Sequence, residues 1–448
     1  MRNLNVAVVG SGISGLSAAW LLSQKHTVTL FESDHRLGGH AHTVEVGLGS
    51  GKSVGVDTGF IVSNTWTYPN FTALMDYLDV DMNSTRMTFS VSADQGRYEY
   101  SGDHLGTLLG RARQWLSPGH WRLVADLVRF YRNAEALLPT LPAGLTLGEF
   151  MARNGYSQTF AERHILPIAG AIWSTGTEAI SNYPVVEFVK FFANHKLFML
   201  GDRPDWQTVR GGSREYVQRL VEDGKFAVRS GNPVVSIRRQ GSGVEICTSD
   251  GRSTAFDQVV IATHAGQALK LLDRPTPEET ALLSVFATSR NRAVLHRDPS
   301  HMPHCRRFWS AWNYRPAAAK SKTVSVTYWM NALQKLDSTE QHFVTLNPVH
   351  EPAAHLIDGE YDYRHPVFTP HTRAAQENLW TLQGHNNTWF AGAWFGAGFH
   401  EDGLQSGLAV AEQLGQVRRP WNVANESGRI CVSPVAIEEP HVVVEAAE

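Results

Sequence analysis

The residues best suited to chemistry stand near the start of the chain. Gly10-Ser11-Gly12-Ile13-Ser14-Gly15 follows a short apolar run, Glu32 closes the next one, and Gly38-Gly39 comes soon after. Gly10 permits a tight turn, Gly12 lets backbone approach a pyrophosphate with no Cβ in the way, and Gly15 lets a helix sit close on a strand. A helix opening at Ile13 and Ser14 offers unpaired N–H groups and the positive end of its dipole to phosphate. Glu32 accepts both ribose hydroxyls and repels a 2′-phosphate, which disfavours NADP. In this order and spacing the residues read as a site for the ADP half of a dinucleotide. The spacing His301-x-x-His304-Cys305 lacks a partner pair and reads as a solvated loop, so no metal site is expected.

Positioning the glycines requires a strand, turn, helix and strand in succession. Residues 4–9 and 27–31 are apolar runs, and 13–24 is amphipathic. Residues 40–62 read as a hairpin with strands at 42–46 and 53–61. Its Gly51-Lys52-Ser53 end is a turn, because Val46 stands where a P-loop needs glycine. From Pro69 to Phe192 the pattern is mostly helical, with helices expected at 105–115, 121–138, 147–154 and 185–195. Strands return at 233–238, 244–248 and 258–263. An antiparallel sheet is expected from 293–297, 308–314, 323–330 and 342–346. Near the end, 388–393 is strand-like and 402–414 a helix capped by Asp402 and ended by Gly415. Nucleotide-binding pieces thus fall at 1–69, 206–269 and 376–419, and insertions 70–205 and 270–375 form a substrate domain. Residues 420–448, with Pro420, Pro434 and Pro440, read as a loosely held tail. The expected class is α/β, a Rossmann-like nucleotide domain interleaved with an α+β substrate domain.

The chain has 448 residues, 42% hydrophobic and 19% charged, with a net charge of −3. That length holds core for two or three domains. The charge leaves no broad electrostatic footprint for nucleic acid. Cys247, Cys305 and Cys431 include no CxxC pair, which argues against a dithiol–disulfide reductase and a cysteine zinc site. No apolar run approaches the ~20 residues of a spanning helix. With the first strand at Leu4, no signal peptide is expected, and the expected location is the cytoplasm, at most peripheral to a membrane.

These segments resemble the FAD-dependent amine oxidase superfamily, which includes monoamine oxidases, protoporphyrinogen oxidase and phytoene desaturases. The N-terminal unit carries the resemblance first, with His40 where the family usually has Arg. Val56-Asp57-Thr58-Gly59-Phe60, Arg210-Gly211-Gly212 and Pro233-Val234-Val235 follow, then Phe390-Ala391-Gly392 and Asp402-Gly403-Leu404-Gln405-Ser406-Gly407. The resemblance implies the amine oxidase fold. It implies FAD held by Gly10, Gly12, Ile13, Ser14, Gly15, Glu32, Ser33, Gly38, Gly39 and His40, with Thr58, Gly59 and Phe60 passing the flavin ring. It further implies Val234 and Val235 at the adenine, and Gly392, Ala393, Gly403, Leu404 and Gln405 at the flavin. N–H groups of Leu404 and Gln405 at a helix start would stabilise the negative charge of reduced flavin. Monoamine oxidases carry an aromatic residue straight after the glycine matching Gly403, half of a cage for the amine, and Leu404 stands here. Cys431 lies beyond that helix, so FAD is expected without a covalent link. No second GxGxxG exists, so electrons are expected from an organic substrate. More narrowly, Gly39-His40-Ala41-His42-Thr43, Trp66-Thr67-Tyr68-Pro69-Asn70-Phe71 and the run from Ala393 to Gly403 resemble bacterial predicted NAD/FAD-binding proteins. These often accompany cyclopropane-fatty-acid synthases, which implies a lipid-methylating synthase as partner.

Substrate-binding side chains are expected at Trp312, Tyr314, Tyr328 and Trp394. Alternation puts Phe308, Trp312 and Tyr314 on one strand face and Trp309 on the other, an apolar wall over the flavin. In the loop before the last helix, His400 or Glu401 is the candidate to move a proton as a hydride leaves for the flavin. Trp115 and Trp121 with Arg111, Arg113 and Arg122 read as a membrane-surface patch or as an amphipathic helix on the core. The expected function is FAD-dependent oxidation, as desaturation, of a small apolar substrate such as a modified fatty acyl chain or membrane lipid. Two other readings stand: a peroxide-producing amine oxidase, and a flavin-bound lipid-pathway partner or isomerase without net redox turnover. Neither a nucleic acid partner nor a transmembrane span is expected.

Overall fold

A computed structural model describes residues 3–49, 51–142, 144–173, 176–194, 205–241, 243–316 and 324–433. The strand Asn5–Val9 is the centre of a five-stranded parallel sheet, flanked by Thr27–Phe31 and Ala227–Arg229 on one side and by Gln258–Ile261 and Thr388–Phe390 on the other. A parallel strand is covered on both faces, which explains its unbroken apolar runs. Val6, Ala7, Val8, Val259, Val260, Ile261 and Phe390 are all fully buried.

The helix Ile13–Leu22 is buried on every side and is not amphipathic. The sheet lies beneath it, and the last helix, His400–Gly415, and Arg214–Asp223 pack on it. Its contact with the last helix depends on glycine. A Cβ at Gly403 would lie 2.8 Å from Ile13 Cγ2, and one at Gly407 2.2 Å from the Ser14 carbonyl oxygen. The first and last helices thus touch backbone to backbone. The same core takes in Phe71, Leu74 and Met75 of the helix Pro69–Tyr77, and Leu283.

Opposite lies a seven-stranded mixed sheet, in the order Ile357–Pro366, Thr288–His296, Phe343–Leu346, Ser325–Trp329, Trp312–Arg315, Phe89–Ala93 and Tyr98–Ser101. It exceeds the expected four strands by three. Two of these lie where helix was expected. Both alternate apolar and polar residues, Phe89-Ser90-Val91-Ser92-Ala93 and Tyr98-Glu99-Tyr100-Ser101, a strand signal that the surrounding helical pattern masked; their polar side chains are buried and bonded inside the protein, as Ser90 to Asn313 (2.8 Å) and Ser92 to Glu99 (3.0 Å). The expected strand over 308–314 begins only at Trp312, because Arg306–Phe308 forms a 3-10 turn. The expected helix over 105–115 is two pieces, Leu105–Leu108 and Ala112–Leu116, broken at Gly110 (φ 72°). Pro118–Leu137, Leu147–Arg153 and Val185–Asn194 enclose a separate core built on Phe130, Phe150, Phe160, Phe188 and Phe192. His195 and Thr323, at the ends of expected elements, lie outside the described residues.

Residues 420–433 are not loose, contrary to expectation. Trp421 stacks on Trp20 (5.8 Å), and Ile430 is buried. Arg429 donates from Nε to Asp402 (2.6 Å) and from Nη1 to the Thr67 carbonyl (2.8 Å). Prolines and acids suggested a loop, while these anchors join residues hundreds of positions apart or one turn into a helix. Pro434 and Pro440 lie outside the described residues.

Candidate functional site

A cavity of about 820 Å³ opens at the carboxyl ends of the parallel strands and extends to the seven-stranded sheet. At its parallel-sheet end the wall is backbone. Gly10 (φ 102°) turns the chain, and its N–H donates to the Phe31 carbonyl at 2.8 Å. A Cβ at Gly15 would lie 1.8 Å from the Gly10 carbonyl oxygen, so the helix closes on the strand there. A Cβ at Gly12 would meet nothing within 4 Å, which leaves an open cradle, and a Cβ at Gly39 would lie 3.1 Å from the Gly12 Cα, so the two turns pass closely. Ile13, Ser14, Ser33 and Gly38 also line this end. Glu32 lines it too, its Oε2 accepting the Ser11 N–H (2.8 Å) and O–H (2.6 Å), and its Oε1 the Ser33 O–H (3.0 Å). Pro233 and Val234 reach the cavity, while the Val235 side chain is exposed and does not.

The middle of the cavity is formed where Thr58, Gly59 and Phe60 cross His40. A Cβ on Gly59 would lie 2.2 Å from the His40 carbonyl oxygen. Behind them, the buried Asp57 carboxylate accepts from the Thr43 hydroxyl (2.6 Å), the Ser213 N–H (2.9 Å) and hydroxyl (2.8 Å), and Gln334 (2.9 Å). Burial pushes this carboxyl up to about 6, and the donors pull the other way. Asp57 thereby ties the glycine turn at Gly211-Gly212 to the cavity floor. The His40 ring lies 5.5 Å from His365 and 6.3 Å from His264. Burial first, then those two rings, hold His40 well below the usual imidazole range. Gly392, Ala393 and Trp394 close the opposite side, with Trp394 Nε1 donating to the Thr263 carbonyl (3.0 Å).

The last helix begins at His400, two residues earlier than expected. Its Gly403 N–H bonds the Phe399 carbonyl (3.1 Å), so Leu404 and Gln405 lie inside the helix and their N–H groups are not the free ones. The unpaired amides of such a helix belong to His400, Glu401 and Asp402, and Asp402 is not the cap but accepts the Phe399 N–H (2.7 Å). Gly403, Leu404 and Gln405 are buried and do not line the cavity. Glycine packing holds the first, the core the second, and the third bonds Glu401 (3.0 Å) and the Arg429 N–H (3.1 Å). Leu404 therefore supplies no cavity wall, with or without an aromatic ring.

The two proton-transfer candidates part company. Glu401 is fully buried away from the cavity and caps the helix Pro69–Tyr77, accepting N–H groups of Asn70 and Phe71 at 3.0 Å each. Burial raises its carboxyl above the ordinary range. It is an anchor between two helices. His400 does line the cavity. It stacks on Phe60 (3.8 Å, 8°), its Nε2 is 2.7 Å from the Tyr216 hydroxyl, and burial pushes its imidazole down to about 3.

Beyond Phe60 the cavity is an aromatic chamber. Trp312 and Tyr328 meet edge to face (5.2 Å) on its wall. Tyr314 is buried behind the wall beside Val91 and Val326. Phe308 and Trp309 sit outside the strand, so no alternation relates them. Met87, Phe89, Tyr100, Tyr131, His164, Trp173, Phe191 and Phe399 line the chamber and were not singled out in the sequence. His164 sits in a π-helical turn, Ala161–Ile165, with Nδ1 2.9 Å from the Tyr100 hydroxyl and Nε2 2.9 Å from that of Tyr131. A histidine on the apolar face of a helix pattern was the available signal. No cysteine lines the cavity, and among the described residues no group of His, Cys, Asp and Glu is placed to hold a metal. No described helix is long and apolar enough to cross a membrane.

A glycine cradle with an acid at its rim, opening into an aromatic chamber, fits a flavin dinucleotide and defines a flavin-dependent oxidoreductase. Residues 13–415 match the family described as flavin containing amine oxidoreductase, and the chain belongs to that family. It binds FAD, with no cavity cysteine for a covalent link. It is 24% identical over 263 residues to an L-amino acid dehydrogenase of Synechocystis sp., covering 55% of this chain and 53% of that one. It is 27% identical over 292 residues to a carotenoid phi-ring synthase of Streptomyces griseus, covering 61% and 54%. The chain thus spans about half the length of the curated relatives it matches. Among solved structures, it is similar to a CLA-producing fatty acid isomerase from P. acnes, with a TM-score of 0.66 and 16% identity over 91% of this chain and 97% of the other.

Proposed function

We propose that this chain takes a hydride from an apolar organic substrate of the fatty acyl type, held in the chamber beyond Phe60. One observation carries the reading: the chamber wall is aromatic and aliphatic, and its imidazoles are neutral. Among the described residues, three charged side chains line the cavity. Glu32 ends a nucleotide-side strand, Lys270 stands on the helix Ala265–Leu271 that follows the parallel strand Gln258–Ile261, and Arg364 is exposed beside His264. Among the described residues, no acid stands at the aromatic end to pair with an ammonium group. Burial holds His164 near 4 and His400 near 3, so neither carries charge at neutral pH.

Bound FAD would supply the hydride acceptor. Gly10, Gly12, Ser14, Glu32 and Gly39 would hold its ADP half, and Thr58, Gly59, Phe60, Gly392 and Ala393 its ring. Trp312, Tyr328 and Trp394 orient the substrate and keep water out, and alignment of this kind supplies much of the rate for C–H oxidation. The carotenoid synthase among the relatives supports an apolar substrate. The same reading takes a lipid-methylating synthase as the supplier of that substrate, inside the cell.

Anaerobic stopped-flow mixing with methylated or cyclopropane acyl lipids tests this. The long-wavelength flavin absorption should bleach with such lipids and stay unchanged with amines. The reverse pattern refutes it and establishes the second reading, amine oxidation, which the L-amino acid dehydrogenase relative favours. Product formed without net bleaching would mark an isomerase.

A further inference from the structure

We propose that the face around Trp115, Leu116 and Trp121 docks on an anionic lipid surface. The turn Ala112–Leu116 and the start of the helix Pro118–Leu137 hold these side chains outward, at 52%, 88% and 48% exposure. Two polar neighbours, Gln114 and His120, point inward. Gln114 is buried and accepts the N–H groups of Glu99 (3.1 Å) and Arg111 (3.0 Å). His120 is buried between the Tyr98 hydroxyl (2.8 Å) and the Leu108 carbonyl (3.1 Å). Trp121 Nε1 donates to the Trp115 backbone carbonyl (2.8 Å), which ties the Trp121 indole to the turn. Polar groups inside and large apolar groups outside invert the pattern of a water-facing helix.

The surrounding charge selects the occupant. Between His104 and Asn133 stand Arg111, Arg113, Arg122, Arg129 and Arg132 against one acid, the buried Asp126, which pairs with Arg122 (3.5 Å) and Arg129 (3.1 Å), while Arg111 lies 3.7 Å from Glu99. Arg113 and Arg122 are exposed beside the apolar side chains. The face is therefore basic on a chain of net charge −3. Trp and Leu insert at the boundary of head group and acyl chain, and Arg pairs with anionic head groups. A second copy of the chain would bring Arg against Arg across a self-complementary interface. The same helix carries Tyr131 to the chamber wall, ten residues or roughly 15 Å beyond Trp121. The proposal stands apart from the choice of substrate, since it rests on the outer face alone.

Flotation of the FAD-loaded full chain with vesicles tests it. The protein should rise with vesicles of equal parts phosphatidylglycerol and phosphatidylcholine and stay behind with phosphatidylcholine alone. Leu116→Glu should cut the bound fraction about tenfold, and Arg113→Gln about fivefold, the weight of one basic side chain at an anionic surface. Both side chains are solvent-facing, so flavin content and melting temperature should not change. The proposal falls if the wild type ignores phosphatidylglycerol, or if both variants bind like it. It also falls if, without lipid, Leu116→Glu turns a dimer into a monomer, which would make this face a self-interface.

Discussion

Two glycines three residues apart do opposite work, and substitution separates them. Gly12 has extended backbone (φ −64°, ψ 175°) and open space where a side chain would go. Gly12→Val should fold normally yet fill the cradle, giving a colourless protein, read as the ratio of flavin to protein absorbance. Gly15 has no such space, and Gly15→Ala should cost about 1–3 kcal/mol through overpacking, read as a lower urea midpoint. His400 poses a different test. Its imidazole, pushed down to about 3, stays neutral across the working range. The rate of flavin reduction should show no limb near pH 6.5 that disappears in His400→Asn. Finding one would mean that this ring titrates during catalysis.

At the scale of elements, the segment after the last helix locks the site from outside. Arg429 pairs with Asp402, which is fully buried. Arg429→Ala leaves that carboxylate uncompensated and should destabilise by about 3–5 kcal/mol, with loss of FAD on mild heating. This anchor was not legible in the sequence, whereas the glycine unit was. Gly10 to Glu32 forms its contacts within some twenty residues, so spacing alone fixes strand, turn and helix. The Asp57 cluster draws on Thr43, Ser213 and Gln334, and no local pattern announces such a union. The helix start was misplaced for a similar reason. Asp402 is a good capping type, but its carboxylate serves the Phe399 N–H and Arg429 from inside the first turn. Tyr314 and Trp312 share a strand and differ only in whether the chamber or the core lies in front of them, which depends on the opposing sheet.

For the molecule as a whole, buried histidines set a limit in acid. Burial pushes His164 and His296 down to about 4 and His301 to about 3, each nearly or wholly out of solvent. Their folded values lie below the unfolded value, so the stability they contribute is complete above about pH 6.5 and is lost as pH falls. Through these three rings alone the unfolded chain takes up three protons that the folded one refuses, a slope of about 4 kcal/mol per pH unit between roughly pH 6 and 4.5. Urea midpoints should fall steeply from pH 7 to pH 5, and a flat profile would show that these rings protonate in place.

The backbone contact of Ser14 with Gly407 has a consequence for how the protein is made. One wall of the FAD cradle is the first helix, and its brace is made almost four hundred residues later. At about 5–20 residues per second, the stretch between them takes on the order of 20–80 s to synthesise. Through that interval the nascent chain carries an open, unbraced Rossmann unit. Loading with flavin should therefore wait until the helix His400–Gly415 has been made, and chains that stop short of it should accumulate as apoprotein, read as protein without flavin absorbance.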